Sequence, residues 1–202
     1  ELSPAAVHPK LRVLSLDLET TFDASRIFSA AIVVSGAGEP VEEVHLVADS
    51  APSGPPVILH VDERALLEAL LARVRELDPD LLVGWNVIGF DLSVIDRRCA
   101  AHGIRCEMGR VPGALAFRQD LGFSRDGRAE IPGRMVLDGI PLVRDAIRLE
   151  DYRLETVAQA VLGRGKQIDE NVPDRAAEIL RLYHEEPEAL VAYNLEDARL
   201  VI

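Results

Sequence analysis

The chain has 202 residues, 48% of them hydrophobic, which is enough for one good-sized core in a single domain. Lys and Arg total 22 against 34 Asp and Glu, a formal net charge of −12, which argues against a protein that grips a polyanion through a general basic coat. No run approaches the roughly 18 apolar residues of a membrane span, the opening ELSPAAVHPK lacks the flank and core of an export signal, and Cys99 and Cys106 match no zinc or redox spacing, so a soluble protein with reduced thiols is expected.

In chain order, a first strand is predicted over Arg12 to Glu19, followed by apolar runs at Ile27 to Val34 and Val41 to Val47 separated by the turn-rich SGAGEP, the pattern of an antiparallel meander. Residues 48–56, ADSAPSGPP, read as a loop. After it Leu66, Leu67, Leu70, Leu71 and Val74 recur at helical spacing behind a capping Asp62. Asp80 to Gly84 is a short apolar strand, and a helix begins at about Asp91, with Leu92, Ile95 and Cys99 on one face and a stop at Gly103, which makes a parallel crossover unit. Two strand-like runs flank SRDGR between Ala114 and Leu137, a hairpin signal, and Pro141 and Pro173 mark first helical turns in a mostly helical last third. The fold class is α/β, a mixed sheet covered by helices.

The chemistry-bearing residues sit at element ends. In LSLDLET, residues 14–20, Leu14, Leu16 and Leu18 share one face of the strand, while Asp17 and Glu19 share the other, one pleat apart. In GWNVIGFDLSVI, Asp91 opens a helix behind Asn86 and Phe90. In AYNLEDARL, Tyr193 and Asp197 are four residues apart, one turn above the other on one helix face. Ligands in open α/β sheets bind beyond the carboxyl ends of the strands. Four carboxylates converging there repel unless cations sit among them, and two divalent ions carry a matching charge of +4. Hard oxygen ligands suit Mg²⁺ or Mn²⁺, and a pair of such ions suits in-line displacement at phosphorus.

The DLE on the first strand, NVIGFD opening a helix and YNLED on the last helix resemble, in order and spacing, the three exonuclease motifs of family B DNA polymerases. The flanking stretches DPDLLVGWNVIGFDL, GRMVLDGI and LETVAQAVLGRGKQID are similar to bacterial members of that family. The resemblance implies an RNase H-like mixed five-stranded sheet flanked by helices with an inserted β-hairpin, and a DEDDy 3′ to 5′ proofreading nuclease. It implies that Asp17 bridges two divalent metal ions, that Glu19 and Asp197 bind the one that activates water, and that Asp91 holds the second through water. Tyr193 then orients the attacking water. Ala192 stands where the other branch of the superfamily carries a histidine, so a general-base histidine is not expected. Asn86, Phe90 and Thr20 match positions that touch the unpaired 3′ end. The implied partners are a single-stranded DNA 3′ end, the polymerase domains of the same parent chain and, through that parent, a sliding clamp, with no membrane; the implied setting is the bacterial cytoplasm and its nucleoid.

Residues 1–202 are read as one exonuclease domain taken from a longer polymerase, because the chain stops at Ile202 inside a helical apolar pattern and no D-T-D palm motif is present. Two alternatives stand beside this: an exonuclease-like scaffold that binds DNA without cutting it, and an RNA-trimming enzyme of the same type, which differs in how it reads the 2′ hydroxyl. Asp138, Asp62 and Asp174 are read as turn or capping residues, and Glu42 with Glu43 as a solvated face. Arg118, Arg125, Arg128 and Arg134 cluster around the hairpin as candidate phosphate contacts.

Overall fold

The computed structural model of the protein describes residues 6–118, 127–164 and 175–202. The first strand β1 (Arg12–Thr20) pairs antiparallel with β2 (Ile27–Gly36), which pairs antiparallel with β3 (Val41–Val47), so the meander is present. A short strand β4 (Val57–His60) then pairs in parallel with β3 along its outer edge. Helix α1 (Glu63–Leu77) crosses back to β5 (Leu81–Gly84), which is parallel to β1. Helix α2 (Asp91–Ala101) and a small antiparallel pair, β6 (Ala116–Arg118) with β7 (Arg128–Glu130), lead to β8 (Met135–Asp138), parallel to β5. Among the described residues four helices follow: α3 (Gly139–Ala146), α4 (Leu154–Leu162), α5 (Arg175–Glu185) and α6 (Pro187–Leu200).

Among the described residues the main sheet has six strands in the order β4-β3-β2-β1-β5-β8, one more than the five-stranded sheet expected. The added strand is β4: VILH is four residues long and shows no alternation, with both Ile58 and Leu59 exposed, so nothing in its pattern separates it from the loop before it. The hairpin between α2 and β8 is there as β6 and β7, while its turn residues, together with Pro173 and Asp174, lie outside the described residues.

The period-two pattern of β1 decides where the core and the site lie. Leu14, Leu16 and Leu18 pack with Leu66, Leu67, Leu70 and Val74 of α1 and Leu92 and Ile95 of α2 on one face of the sheet. Phe28, Ala31 and Val33 of β2 pack with Ile179 and Leu182 of α5 and Leu190, Val191 and Leu195 of α6 on the other. Asp17 and Glu19 therefore point toward the α6 side, opposite Ala31 and Ser29 of β2 in the register. Asp62 caps α1 by accepting the Ala65 N–H. Cys99 and Cys106 are buried free thiols. Among the described residues no helix is long and apolar enough to cross a membrane.

Candidate active site

Because β1 and β5 run parallel, their carboxyl ends finish at the same edge of the sheet, and the acids meet there. Asp17 and Glu19 arrive on β1 and Asp197 on α6; one carboxylate oxygen from each lies within 4.8 Å of the others. Asp197 is buried, whereas Asp17 and Glu19 are half-buried. Asp91, the first residue of α2, comes from the neighbouring strand end and is also buried; its Oδ1 accepts the Leu18 N–H at 3.0 Å, between the two acids of β1. Burial first, and then the charge of Asp17, push the Asp91 carboxyl well above the usual carboxylate range. The three separated motifs thus make one acidic crevice.

The loop from β5 to α2 is fixed from two directions. Any side-chain carbon at Gly84 would meet the Leu16 carbonyl oxygen at 2.7 Å, so glycine lets the loop pass directly over β1 beside Asp17. Asn86 adopts a left-handed backbone, φ +61°, which asparagine tolerates better than most residues. The Asp138 carboxylate accepts the N–H groups of Asn86, Ile88 and Ile140 at 3.0–3.1 Å, so it caps α3 and ties down this loop, as its reading as a turn residue anticipates. Asn86 is exposed, and Phe90 keeps 37% of its surface at the amino end of α2, more than a core aromatic retains. Thr20 follows Glu19 directly and donates its hydroxyl to the Thr21 carbonyl.

Tyr193 stands one turn before Asp197 on α6 and is buried at the site. The Arg175 guanidinium lies 5.5 Å from the centre of the Tyr193 ring, and 3.6 Å separates it from Asp197 Oδ2. Sequence reasoning did not single out Arg175, because nothing in its spacing ties the start of α5 to the end of α6. It also passed over Asn194, whose amide donates to the Asp17 side chain.

Two readings need correction. The Arg134 side chain is 1% exposed, pairs with Asp78 and donates to the carbonyls of Met108 and Pro79, so it staples the chain around α1 and does not face a ligand. Arg118 pairs with Glu130 across the hairpin, and Arg125 lies outside the described residues. Glu43 is not on a solvated face: it is buried on β3, where Arg73 Nε and Nη2 donate to its two oxygens at 2.7 and 2.9 Å. A glutamate inside a sheet needs a cation from another element, and no local pattern shows one.

A family model for the DNA polymerase family B exonuclease domain matches residues 2–157. DNA polymerase II of Escherichia coli is 34% identical over 199 residues, covering 96% of this chain and 24% of that protein. A DNA polymerase of Thermococcus litoralis is 31% identical over 205 residues, covering 98% of this chain and 11% of its own length. The chain therefore spans no more than about a quarter of these relatives. Its fold matches that of the family B DNA polymerase from Pyrobaculum calidifontis with a TM-score of 0.75 and 19% identity, over 98% of this chain and 24% of that one. With the family model covering most of its length, the chain belongs to the exonuclease-domain family of the family B DNA polymerases.

Proposed function

We propose that this chain is a proofreading nuclease that hydrolyses the 3′-terminal phosphodiester of single-stranded or frayed DNA and releases 5′ deoxymononucleotides. The observation that carries the reading is the meeting of Asp17, Glu19 and Asp197 within 4.8 Å, with Asp91 buried alongside, in a chain of this family. The donor set is all carboxylate oxygen, which fits Mg²⁺ or Mn²⁺ and not a softer metal. Burial, and then the charge of Asp17, push the Asp91 carboxyl upward, and a cation among the acids would offset the second of these.

Asp17, Glu19 and Asp197 would hold one such ion, and Asp17 with Asp91 the other. When bound, two divalent ions supply an acidified water and charge stabilisation at the leaving 3′ oxygen. The chain's own residues do the rest. Tyr193 orients the water for in-line attack, and its burial between α6 and the sheet holds the phenol in one place. The water oxygen joins phosphorus as the bond to the 3′ oxygen breaks, and no covalent intermediate with the protein forms. Thr20, Asn86 and the exposed ring of Phe90 hold the terminal nucleotides, the last by stacking on a base or sugar, which is tolerant of sequence.

In this reading residues 1–202 are one exonuclease domain of a longer polymerase resembling DNA polymerase II, working in the bacterial cytoplasm on nucleoid DNA. Its partners are the polymerase domains of that chain and, through them, a sliding clamp. The α3 helix, which buries none of its residues and leaves Leu142 exposed, with Ile147 exposed just past its end, supports such a neighbour.

The test is degradation of a labelled single-stranded DNA oligonucleotide by the 202-residue chain with Mg²⁺ or Mn²⁺, against EDTA, Asp17→Ala and the matching RNA. Release of deoxymononucleotides that EDTA and Asp17→Ala both abolish is the expected result. Equal cleavage by Asp17→Ala, or none with Mn²⁺ present, overturns the reading, and faster cleavage of RNA replaces it with an RNA-trimming one.

A further inference from the structure

Asn194 is fully buried on α6, between Tyr193 and Asp197, with its side chain pointing into the back of the acid cluster. Its Nδ2 donates to Asp17 Oδ2 at 2.7 Å and to the Asp17 main-chain oxygen at 3.1 Å. Both acceptors belong to one residue, and together they use both amide hydrogens. A flipped amide would set its oxygen against two oxygens that only accept, so the orientation is dictated by chemistry. The other end is fixed as well: Ser29 Oγ donates to Asn194 Oδ1 at 2.7 Å, and Ser29 is itself fully buried, opposite Glu19 in the β1–β2 register.

We infer that Asn194 is a positioning residue: its amide sets the plane of the Asp17 carboxylate, and with it the affinity of the acid cluster for divalent cations, while Ser29 holds that amide in place. The inference rests on the metal-dependent reading above. An aspartate carboxylate turns about its last torsion in a broad well. A carboxylate that must offer oxygens to two ions needs that torsion fixed, and a hydrogen bond on Oδ2 from an amide already tied to the same residue's main chain fixes it. The same bond joins α6, which carries Asp197 and Tyr193, to β1, which carries Asp17 and Glu19, so the two halves of the cluster keep their spacing. Groups behind metal ligands act in this way, and their loss weakens metal binding about 10- to 100-fold.

The experiment is calorimetric titration of Mn²⁺, without DNA, into the 202-residue chain and into Asn194→Leu, Ser29→Ala and the double variant, with Asp17→Ala as reference. Leucine nearly preserves the volume of asparagine while removing its donors. Melting in EDTA reports whether each variant folds, and Asn194→Ser, smaller and still polar, replaces Asn194→Leu if that variant does not melt cooperatively. Asn194→Leu is expected to bind Mn²⁺ about 10- to 100-fold more weakly than wild type. Ser29→Ala is expected to weaken binding about 3-fold, and to add nothing in the Asn194→Leu background, since its path to the cluster runs through the amide. Wild-type Mn²⁺ affinity in a folded Asn194→Leu, or an equal further loss from Ser29→Ala in both backgrounds, overturns the inference and leaves the metal-dependent reading standing. A wild-type chain that binds no Mn²⁺, or Asp17→Ala that binds as wild type does, overturns the metal-dependent reading and this inference with it.

Discussion

At the scale of single residues, the site is held together at a cost to the fold. Asp91 is buried among acids, and its raised carboxyl means that at neutral pH the metal-free protein carries an unfavourable charge or keeps a proton it would lose in the unfolded chain. Asp91→Asn keeps an oxygen for the Leu18 N–H and removes that charge. It is expected to raise the melting temperature in EDTA at pH 7 by roughly 3–6 °C, the equivalent of about 1–2 kcal/mol, while lowering nuclease activity at least 100-fold. Differential scanning calorimetry beside the oligonucleotide assay checks both halves, and a lower melting temperature would count against the charge argument. The acids themselves were legible, because alternation on β1 and the four-residue step on α6 are local patterns. Asn194 was not: its partner Asp17 is 177 residues away, and an asparagine beside a functional acid has no pattern of its own. Arg134 misled for the opposite reason, since an arginine near a hairpin looks solvent-facing until the carbonyls that enclose it are known.

At the scale of elements, two junctions carry testable strain and charge. The β5–α2 turn leaves no room at Gly84, where a methyl would meet the Leu16 carbonyl and the Val87 Cβ, both at 2.7 Å. Gly84→Ala is expected to destabilise the protein by about 1–3 kcal/mol and to lower activity further than that loss explains, because the turn carries Asn86, Phe90 and Asp91 past β1. Urea unfolding together with activity measured at a temperature where the variant stays folded separates the two effects. The outer edge shows the second junction. His60 of β4 stacks on His45 of β3, with ring centres 5.0 Å apart, and His60 Nε2 lies 2.9 Å from His45 Nδ1. Beyond His45 lies Glu43, with 3.5 Å between its Oε1 and His45 Nε2; burial would raise the Glu43 carboxyl, but His45 and Arg73 outweigh it and bring it down to about 2. Burial, then the His45 charge, lower His60 from 6.5 to about 4. Between those values the unfolded chain binds a proton there that the folded chain refuses, so stability falls as pH drops from about 6.5 to about 4, by up to about 3 kcal/mol from this group. A plot of stability against pH should be flatter by that amount in His60→Gln. Most elements were legible because their periodicities are long and clean, as in α1 and β1. The β4 strand was not, since four apolar residues at an edge look the same whether or not they pair.

At the scale of the whole molecule, charge limits how the chain could hold the DNA proposed as its substrate. Its formal net charge is −12, and many arginines among the described residues are spent on acids: Arg73 on Glu43, Arg98 on Glu63, Arg110 on Asp78 and Asp80, Arg181 on Glu178, and Arg199 on Glu42. Each phosphate neutralised by a protein cation on a single strand contributes about −0.7 to the slope of log affinity against log salt. With Arg175, 67% exposed at its side chain, as a cation beside the acid cluster among the described residues, one or two such contacts are expected, and affinity should fall only about 3- to 7-fold between 50 and 200 mM salt. Fluorescence anisotropy with Mn²⁺ and a cleavage-resistant oligonucleotide measures this directly. A basic groove would give a fall of a hundredfold or more over the same range, and that result would mean that the negative surface is not what the strand meets. A shallow slope would support the proposed reading, in which the crevice holds a 3′ end through metal ions and stacking and long-range attraction of DNA falls to polymerase domains outside the 24% of the Escherichia coli relative that this chain spans.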